Sequence, residues 1–315
     1  MSRTAAWHRP LLFFTAAMGL LAVVCAVGLV VDDRVLVGAP IWHKPLKFSV
    51  SFVLYALTLA WMHSLLTRGR RTSWWAGTVV VAAGIVEMAV IVGQVVRGKR
   101  SHFNQETAFD SMLFQIMGST IVVLWLATLV LAVLLFRQPL ADRATAWAIR
   151  LGSVVGLAGL AAGFLMVRPT PEQLAVEDSP AIGAHSVGVP DGGPHLPVTG
   201  WAATGGDLRV AHFVGMHALQ GLPLLALVLV YAATRVPRLR DAAVRLRLVW
   251  VGAAGWTGLF ALVTWQALRG QALTRPDGLT LAAAGVLVVA VAAGSLVTLT
   301  RSAKPSRVSA PEVVG

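Results

Sequence analysis

Along this chain, long apolar runs alternate with short polar segments. Eight runs reach the roughly 20 residues needed to cross a bilayer: 11–31, 46–66, 75–96, 111–136, 146–166, 210–233, 247–268 and 279–300. Inside lipid every backbone N–H and C=O must find an internal partner, so only helices or a closed barrel can span. Runs this long and unbroken are not barrel strands, which alternate polar and apolar over about ten residues. The pattern predicts an all-α integral membrane protein with eight transmembrane helices. The first run is too long for a signal-peptide core and lacks a small-residue cleavage site after it, so it counts as a span.

The eight runs divide into two sets of four that resemble each other in order. RTAAW (Arg3 to Trp7) precedes the first span and RATAW (Arg143 to Trp147) precedes the fifth. ALTLAW (Ala56 to Trp61) in span 2 answers ALVLVY (Ala226 to Tyr231) in span 6. GQVVRG (Gly93 to Gly98) closes span 3, and WQALRG (Trp265 to Gly270) closes span 7. Asp110 and Asp277 open spans 4 and 8. The expected organisation is a first half over 1–140, a second half over 141–300 and a disordered polar tail over 301–315. With four spans each, the halves enter the membrane in the same direction, a parallel repeat whose interface is a favoured place for a site.

Composition agrees with the membrane reading: 57% of residues are hydrophobic and only 13% charged, where a soluble domain carries about 25%. Mean hydropathy is +0.73. The net charge of +12 does not point to nucleic acid, because the basic residues form short clusters between apolar runs. That distribution fits positive-inside anchoring. With the N-terminus inside, the inner segments hold Arg3, Arg9, Arg68, Arg70, Arg71, Arg137, Arg143, Arg235, Arg238, Arg240, Arg245, Arg301, Lys304 and Arg307. The outer segments hold fewer: Arg34, Lys44, Arg97, Lys99, Arg100, Arg168, Arg209, Arg269 and Arg275. Both termini are therefore expected in the cytoplasm, and the protein in the plasma membrane. Cys25 is the single cysteine, which excludes an internal disulfide and cysteine-based clusters.

This topology gathers the unusual polar residues on the outer side. The first outer loop brings Trp42, His43, Lys44 and Lys47, with His43 and Lys47 one helical turn apart. The second brings His102, Asn104, Glu106 and Asp110. The third, over 167–209, brings His185, Asp191, His195, Asp207 and Arg209, and leads into His212. Within Gly183 to Gln220 the apolar residues Val187, Val189, Leu196, Val198 and Trp201 predict a folded lid rather than a loose linker. Further polar groups enter the membrane. His217 lies roughly 10 Å below the start of span 6, with Gln220 one turn deeper. Pro223 cannot donate to the Leu219 carbonyl, which predicts a kink near Gln220. Glu87 lies near the middle of span 3, with Gln94 on the same face, and span 4 offers Gln115, Ser119 and Thr120. A charged group at membrane depth is costly and is a functional candidate by default. His8 and His63, on the inner side, carry no assigned role.

The candidate ligand-binding residues are thus Glu87, His217, Gln220, His43, Lys47, His102, Glu106, Asp207, Arg209 and His212. The reading is a multi-pass protein with an outward-facing polar pocket for a small molecule or ion, transport being the leading use. Lys47, Arg97, Arg100 and Arg209 would draw an anion, and Glu87 would couple protons or cations. One rival is a membrane-embedded enzyme acting on a lipid or exported substrate, metal-dependent or not. The other is a membrane scaffold or complex subunit. His102, His212 and His217 are weak metal candidates: no spacing is diagnostic, and His212 and His217 stand about 140° apart around a helix. No haem, nucleotide or iron–sulfur motif is present, nor a nucleophile elbow. The expected partners are the lipid bilayer and a small ligand, with no nucleic acid.

Overall fold

The computed structural model describes residues 7–300. Arg3, Arg301, Lys304, Arg307, the start of RTAAW and the expected tail over 301–315 lie outside the described residues. Helices dominate: α1 (Arg9–Val31), α2 (His43–Ser64), α3 (Arg70–Arg97), α4 (Ala108–Arg137), α5 (Arg143–Ala162), a one-turn α6 (Pro171–Leu174), α7 (Leu208–Met216), α8 (Ala218–Ala232), α9 (Ala242–Leu268) and α10 (Gly278–Thr300). Four two-residue strands, β1 (Val35–Leu36), β2 (Ala39–Pro40), β3 (Ser186–Val187) and β4 (Gly206–Asp207), form two antiparallel ladders. Among the described residues seven helices are long and apolar enough to cross a membrane, and α7 with α8 forms a further, bent pair. The described residues are mostly helical, with seven or eight helices suited to a bilayer and no barrel among them.

Helix α1 packs on α2 and α3, and α3 packs on α4. In the second half α5 packs on α7, α8 and α9, and α9 packs on α10. Helices α1–α4 meet the later helices along α4–α5 and α2–α8, where the Trp125 indole N–H donates to the Leu157 carbonyl at 3.0 Å. The larger core is built mainly from α1 to α4, with Leu11, Phe14, Phe52, Leu59, Met62, Ile91, Met117 and Leu131, and also takes in Ile149 and Leu219. The second half has a smaller-grained core, with Ala144, Ala148, Leu222, Ala226 and Ala253. Helix α10 buries only Thr280 and Thr298.

Span 6 departs from expectation. The helix does not kink at Gln220; it breaks at His217, where α7 and α8 meet at 42°. Helix α8 runs unbroken through Gln220 and Pro223. The reason lies in α5. A Cβ on Gly159 would stand 2.1 Å from the backbone of Gly215 and Met216, and one on Gly152 would stand 2.7 Å from the Ala218 carbonyl. The bare α5 backbone therefore lies directly against the break. The Trp256 indole N–H meets the Val214 carbonyl there at 2.8 Å.

The turns after α3 and α9 share one geometry. Gly98 and Gly270 close these helices in the left-handed region, at φ 69° and 71°, a conformation that glycine adopts without steric cost. The Gln94 amide donates to the Arg100 carbonyl at 3.1 Å and the Gln266 amide to the Ala272 carbonyl at 2.9 Å, each six residues on. Arg97 pairs with Asp110 at 2.7 Å and Arg269 with Asp277 at 2.5 Å. The first pair is tighter in its surroundings: the Asp110 side chain is fully buried and also accepts from Gln94 at 2.8 Å and from Thr107 at 2.7 Å. Thr107 caps α4 by accepting from the Asp110 N–H.

The long connection between α5 and α7 is folded. Strand β3 pairs with β4, Asn104 bridges to Ala181 and His195 to Ala202. Backbone bonds tie it down at Ile182 to Phe103 (3.0 Å), Gln105 to Pro180 (2.9 Å) and Ala184 to Met166 (2.9 Å). The lid thus adds to the loop between α3 and α4 and lies over the first turn of α2.

Candidate functional site

Three elements meet under the lid. The first turn of α2 supplies Lys44, α3 supplies Glu87, and the α3–α4 loop supplies His102. Glu87 is 1% exposed, and neither carboxylate oxygen has a hydrogen bond. The nearest basic group is the His102 Nε2, 3.6 Å away, just beyond hydrogen-bond reach. Lys44 lies within electrostatic range of both Glu87 and His102. A buried carboxyl without hydrogen bonds is expensive to maintain, so the site holds unspent polar capacity aimed at His102.

Aromatic rings wall this group. Phe48, Phe103 and Phe114 stand 5.7, 6.0 and 6.3 Å from the His102 ring. Phe103 adopts φ 62°, a left-handed conformation rare for a bulky residue. It lies between His102 and the lid, with its ring 4.8 Å from that of His185. Burial holds His102 well below the ordinary histidine range, and the charges of Lys44, His185 and His212 push the same way. It therefore presents a neutral imidazole at pH 7.

The lid closes over this group through His185 and Asp191. The Asp191 carboxylate accepts the backbone N–H groups of His185 (3.0 Å) and Ser186 (2.9 Å) and meets the His185 Nδ1 at 2.9 Å. Burial alone would raise the pKa of Asp191, but these bonds prevail and hold it below the usual carboxylate range. Burial lowers that of His185, and the contact with Asp191 only partly offsets the effect. At the lid tip the His43 imidazole bonds the Val198 carbonyl, and Lys47 Nζ donates to the Thr199 carbonyl at 2.7 Å. The two α2 residues one turn apart thus work as a clamp on the lid.

A second polar group lies along α7 and α8. His212 Nδ1 is 2.8 Å from the Gly159 carbonyl. That carbonyl is available because α5 tightens there: the Gly163 N–H turns to Leu160 and Ala161. His217 Nδ1 is 3.2 Å from Gln220 Oε1, while His217 Nε2 and Gln220 Nε2 are buried without partners. His212 lies within electrostatic range of His102 above and His217 below, so it stands between the two groups.

The remaining candidates lie elsewhere. Asp207 caps α7 and pairs with Arg209 at 2.5 Å, and Arg209 also donates to the Gly200 carbonyl at 2.7 Å. Glu106 pairs with Lys99 at 2.7 Å and Arg100 at 3.5 Å at the edge of the loop. His195 is exposed beside the Gly193 carbonyl. The four cations expected to attract an anion are each engaged: Arg97 by Asp110, Arg100 by Glu106, Arg209 by Asp207, and Lys47 by the lid. Gln115 and Ser119, expected to line the pocket from span 4, are exposed instead. Gln115 reaches back to Ser111, and Ser119 to the Gln115 carbonyl. The face of α4 turned inward is Met117, Leu124, Thr128 and Leu131. His102, His212 and His217 do not assemble a ligand set: among the described residues no three His, Cys, Asp or Glu side chains come together as a metal site.

His8 and His63, left without a role by the sequence, are both buried and meet edge to face at 5.3 Å. His8 Nε2 lies 2.7 Å from the Trp74 carbonyl, and His63 Nδ1 lies 2.7 Å from the Ser73 hydroxyl. They join α1, α2 and α3 at the end remote from the lid.

The chain matches no family description, no curated protein and no solved structure.

Proposed function

We propose that this is a multi-pass plasma-membrane protein that binds a small molecule or ion at the Glu87–His102–Lys44 group beneath the lid, and that it transports this ligand. The observation that carries the reading is Glu87: buried, with both oxygens lacking hydrogen bonds, 3.6 Å from His102. A carboxyl in that state gains free energy when a proton, a cation or a donor group on a ligand reaches it. His212, His217 and Gln220 continue the polar path toward the break between α7 and α8. Broken helices are where transporters expose backbone to their cargo. With Arg97, Arg100, Arg209 and Lys47 already engaged, coupling at Glu87 carries more of the proposal than long-range attraction of an anion.

The same reading takes the chain as two parallel four-helix halves with both termini cytoplasmic. The matched Gln–Arg–Asp turns after α3 and α9 support the duplication, and the arginines gathered at the end remote from the lid support the orientation. The test is solute uptake into proteoliposomes, run as a panel with and without a proton gradient. Glu87→Gln is expected to abolish uptake of the responding solute, and His217→Ala to weaken it. If both variants match the parent for every solute taken up, the transport reading fails.

A second reading has support from the neutral imidazole beside a carboxyl, the pairing needed for general acid–base chemistry. In that case His102 and Glu87 would act on a lipid or exported substrate that enters beneath the lid. Mass spectrometry of a lipid extract incubated with the protein distinguishes the two. A product formed by the parent and lost in His102→Gln supports the enzyme.

A further inference from the structure

At the break between α7 and α8 two buried nitrogens lack hydrogen bonds, His217 Nε2 and Gln220 Nε2. Their side chains are in contact, with His217 Nδ1 and Gln220 Oε1 3.2 Å apart. A carboxamide oxygen only accepts, so Nδ1 carries the imidazole proton, and Nε2 of the neutral ring is a bare acceptor. The Gln220 amide keeps its N–H donors. A carbonyl or an ether would satisfy Gln220 alone, and an ammonium group His217 alone. A hydroxyl satisfies both, donating to Nε2 and accepting from the amide. The pair also lies on an outward stripe. Phe213, Leu224, Leu227 and Tyr231 alternate with it at helical spacing and are exposed, Phe213 by 44% and Leu224 by 59%. His217 and Gln220 between them are half-buried. The Phe213 ring stands 4.2 Å from the His217 ring, and the Trp201 ring of the lid stands 5.9 Å from Phe213.

We infer that His217 and Gln220 bind the hydroxyl of a lipophilic phenol, quinols included, whose ring lies against Phe213 and Trp201. Small-molecule sites combine apolar and aromatic walls with a few placed polar groups, and this flank has both. Buried polar groups left unpaired are costly, so a ligand that completes the pair gains what the free protein forgoes. Aromatic rings favour offset or edge-to-face contact with other rings, which Phe213 offers on its exposed side. An aliphatic alcohol would bond the pair but leave the rings unused, so the phenol is the occupant that accounts for both parts. In a bilayer this stripe would meet lipid, and the ligand is therefore one that dissolves there. The inference goes beyond the transport reading and does not rest on it: it concerns the outward flank of α7 and α8, and binding is read without uptake.

The test uses the full chain in lipid nanodiscs and tritiated para-octylphenol, with bound probe read by scintillation proximity. The parent is expected to bind the probe saturably. The methyl ether, para-octylanisole, keeps the ring but lacks the donor. It should compete about tenfold more weakly, the effect of leaving one buried polar group unpaired. Decanol keeps the hydroxyl but lacks the ring, and it should also compete more weakly than the phenol. His217→Phe should weaken binding of the probe about tenfold. Gln115→Met, on the exposed face of α4, should bind like the parent. If His217→Phe does not fold, Gln220→Met replaces it, and the same loss supports the site. Competition by the ether equal to that by the phenol shows that the hydroxyl is not recognised and overturns the proposal. Equal competition by decanol assigns the pair to any hydroxyl and overturns the phenol form. Absence of saturable binding overturns it, as does parental affinity in the His217 or Gln220 variant.

Discussion

The His212 imidazole lies 2.8 Å from the Gly159 carbonyl, at the place where α5 tightens and the α7–α8 backbone runs against it. Contact this close needs a residue without a side chain at position 159. Gly159→Ala would put a methyl group 2.1 Å from the Gly215 carbonyl carbon. The expected result is a loss of about 2–3 kcal/mol, the cost of overpacking, read as a lower melting temperature in detergent. Gly285→Ala in α10, where nothing lies within 4 Å, should be neutral or gain up to about 1 kcal/mol.

The two matched ion pairs predict unequal outcomes. Asp110 is fully buried, so Asp110→Asn leaves Arg97 and the Gln94 amide without their anion and should cost about 3 kcal/mol. Asp277 is exposed, and Asp277→Asn should leave the melting temperature nearly unchanged. Equal effects in the two melts would contradict the assignment of the difference to the burial of Asp110.

The clamp on the lid can be opened selectively. Lys47→Met removes the donor to the Thr199 carbonyl, a charged hydrogen bond of about 1.5–3 kcal/mol. Cleavage or hydrogen exchange across residues 194–200 should rise at least about tenfold at that cost, with global unfolding little changed. If the lid exchanges at the parental rate, Lys47 does not hold it.

Acid should loosen the lid before it unfolds the helices. In the unfolded chain a histidine takes up a proton below about pH 6.5. Burial keeps His102 and His185 below that value in the folded protein. The unfolded or opened state therefore binds more protons, and stability falls as pH drops through about 6.5. Hydrogen bonds hold the Asp191 pKa below the usual carboxylate range; its contribution is present above about pH 4 and is lost further into acid. Melting curves at pH 7.5 and 5.5 should differ for the parent and converge in the His102→Gln/His185→Gln variant. A parental melt that does not change over that interval contradicts the assignment.

Much of the fold is legible from apolar run length, because a bilayer demands both apolarity and a fixed span. The folded lid is foreshadowed by its own apolar residues, but the helix starts are not given by run length: α3 begins at Arg70 and α9 at Ala242, each five residues before its apolar run. What the sequence hides depends on neighbours. The break at His217 is not at the proline that suggested it, because the glycines responsible, Gly152 and Gly159, belong to another helix. Gln115 and Ser119 look like pocket residues until the rotation of α4 is known, and that rotation is set by packing against α3 and α5. Glu87 and His102 could each be singled out, but their meeting depends on how α3 turns into its loop. The His8–His63 contact joins residues far apart in the chain, and no local signal marks it.

Helices α5 and α10 are both apolar enough to cross a membrane but have opposite obligations. Helix α5 is enclosed by α7, α8 and α9, and its residues are chosen for shape, down to single hydrogens on its glycines. Helix α10 rests on α9 and turns Leu281, Val286, Val289 and Leu296 outward. In a bilayer the neighbour of α10 would be fluid hydrocarbon, which registers how oily a side chain is but not its outline. Exchanges among leucine, valine and isoleucine should therefore pass unnoticed on α10, whereas α5 admits almost none at the positions facing the break.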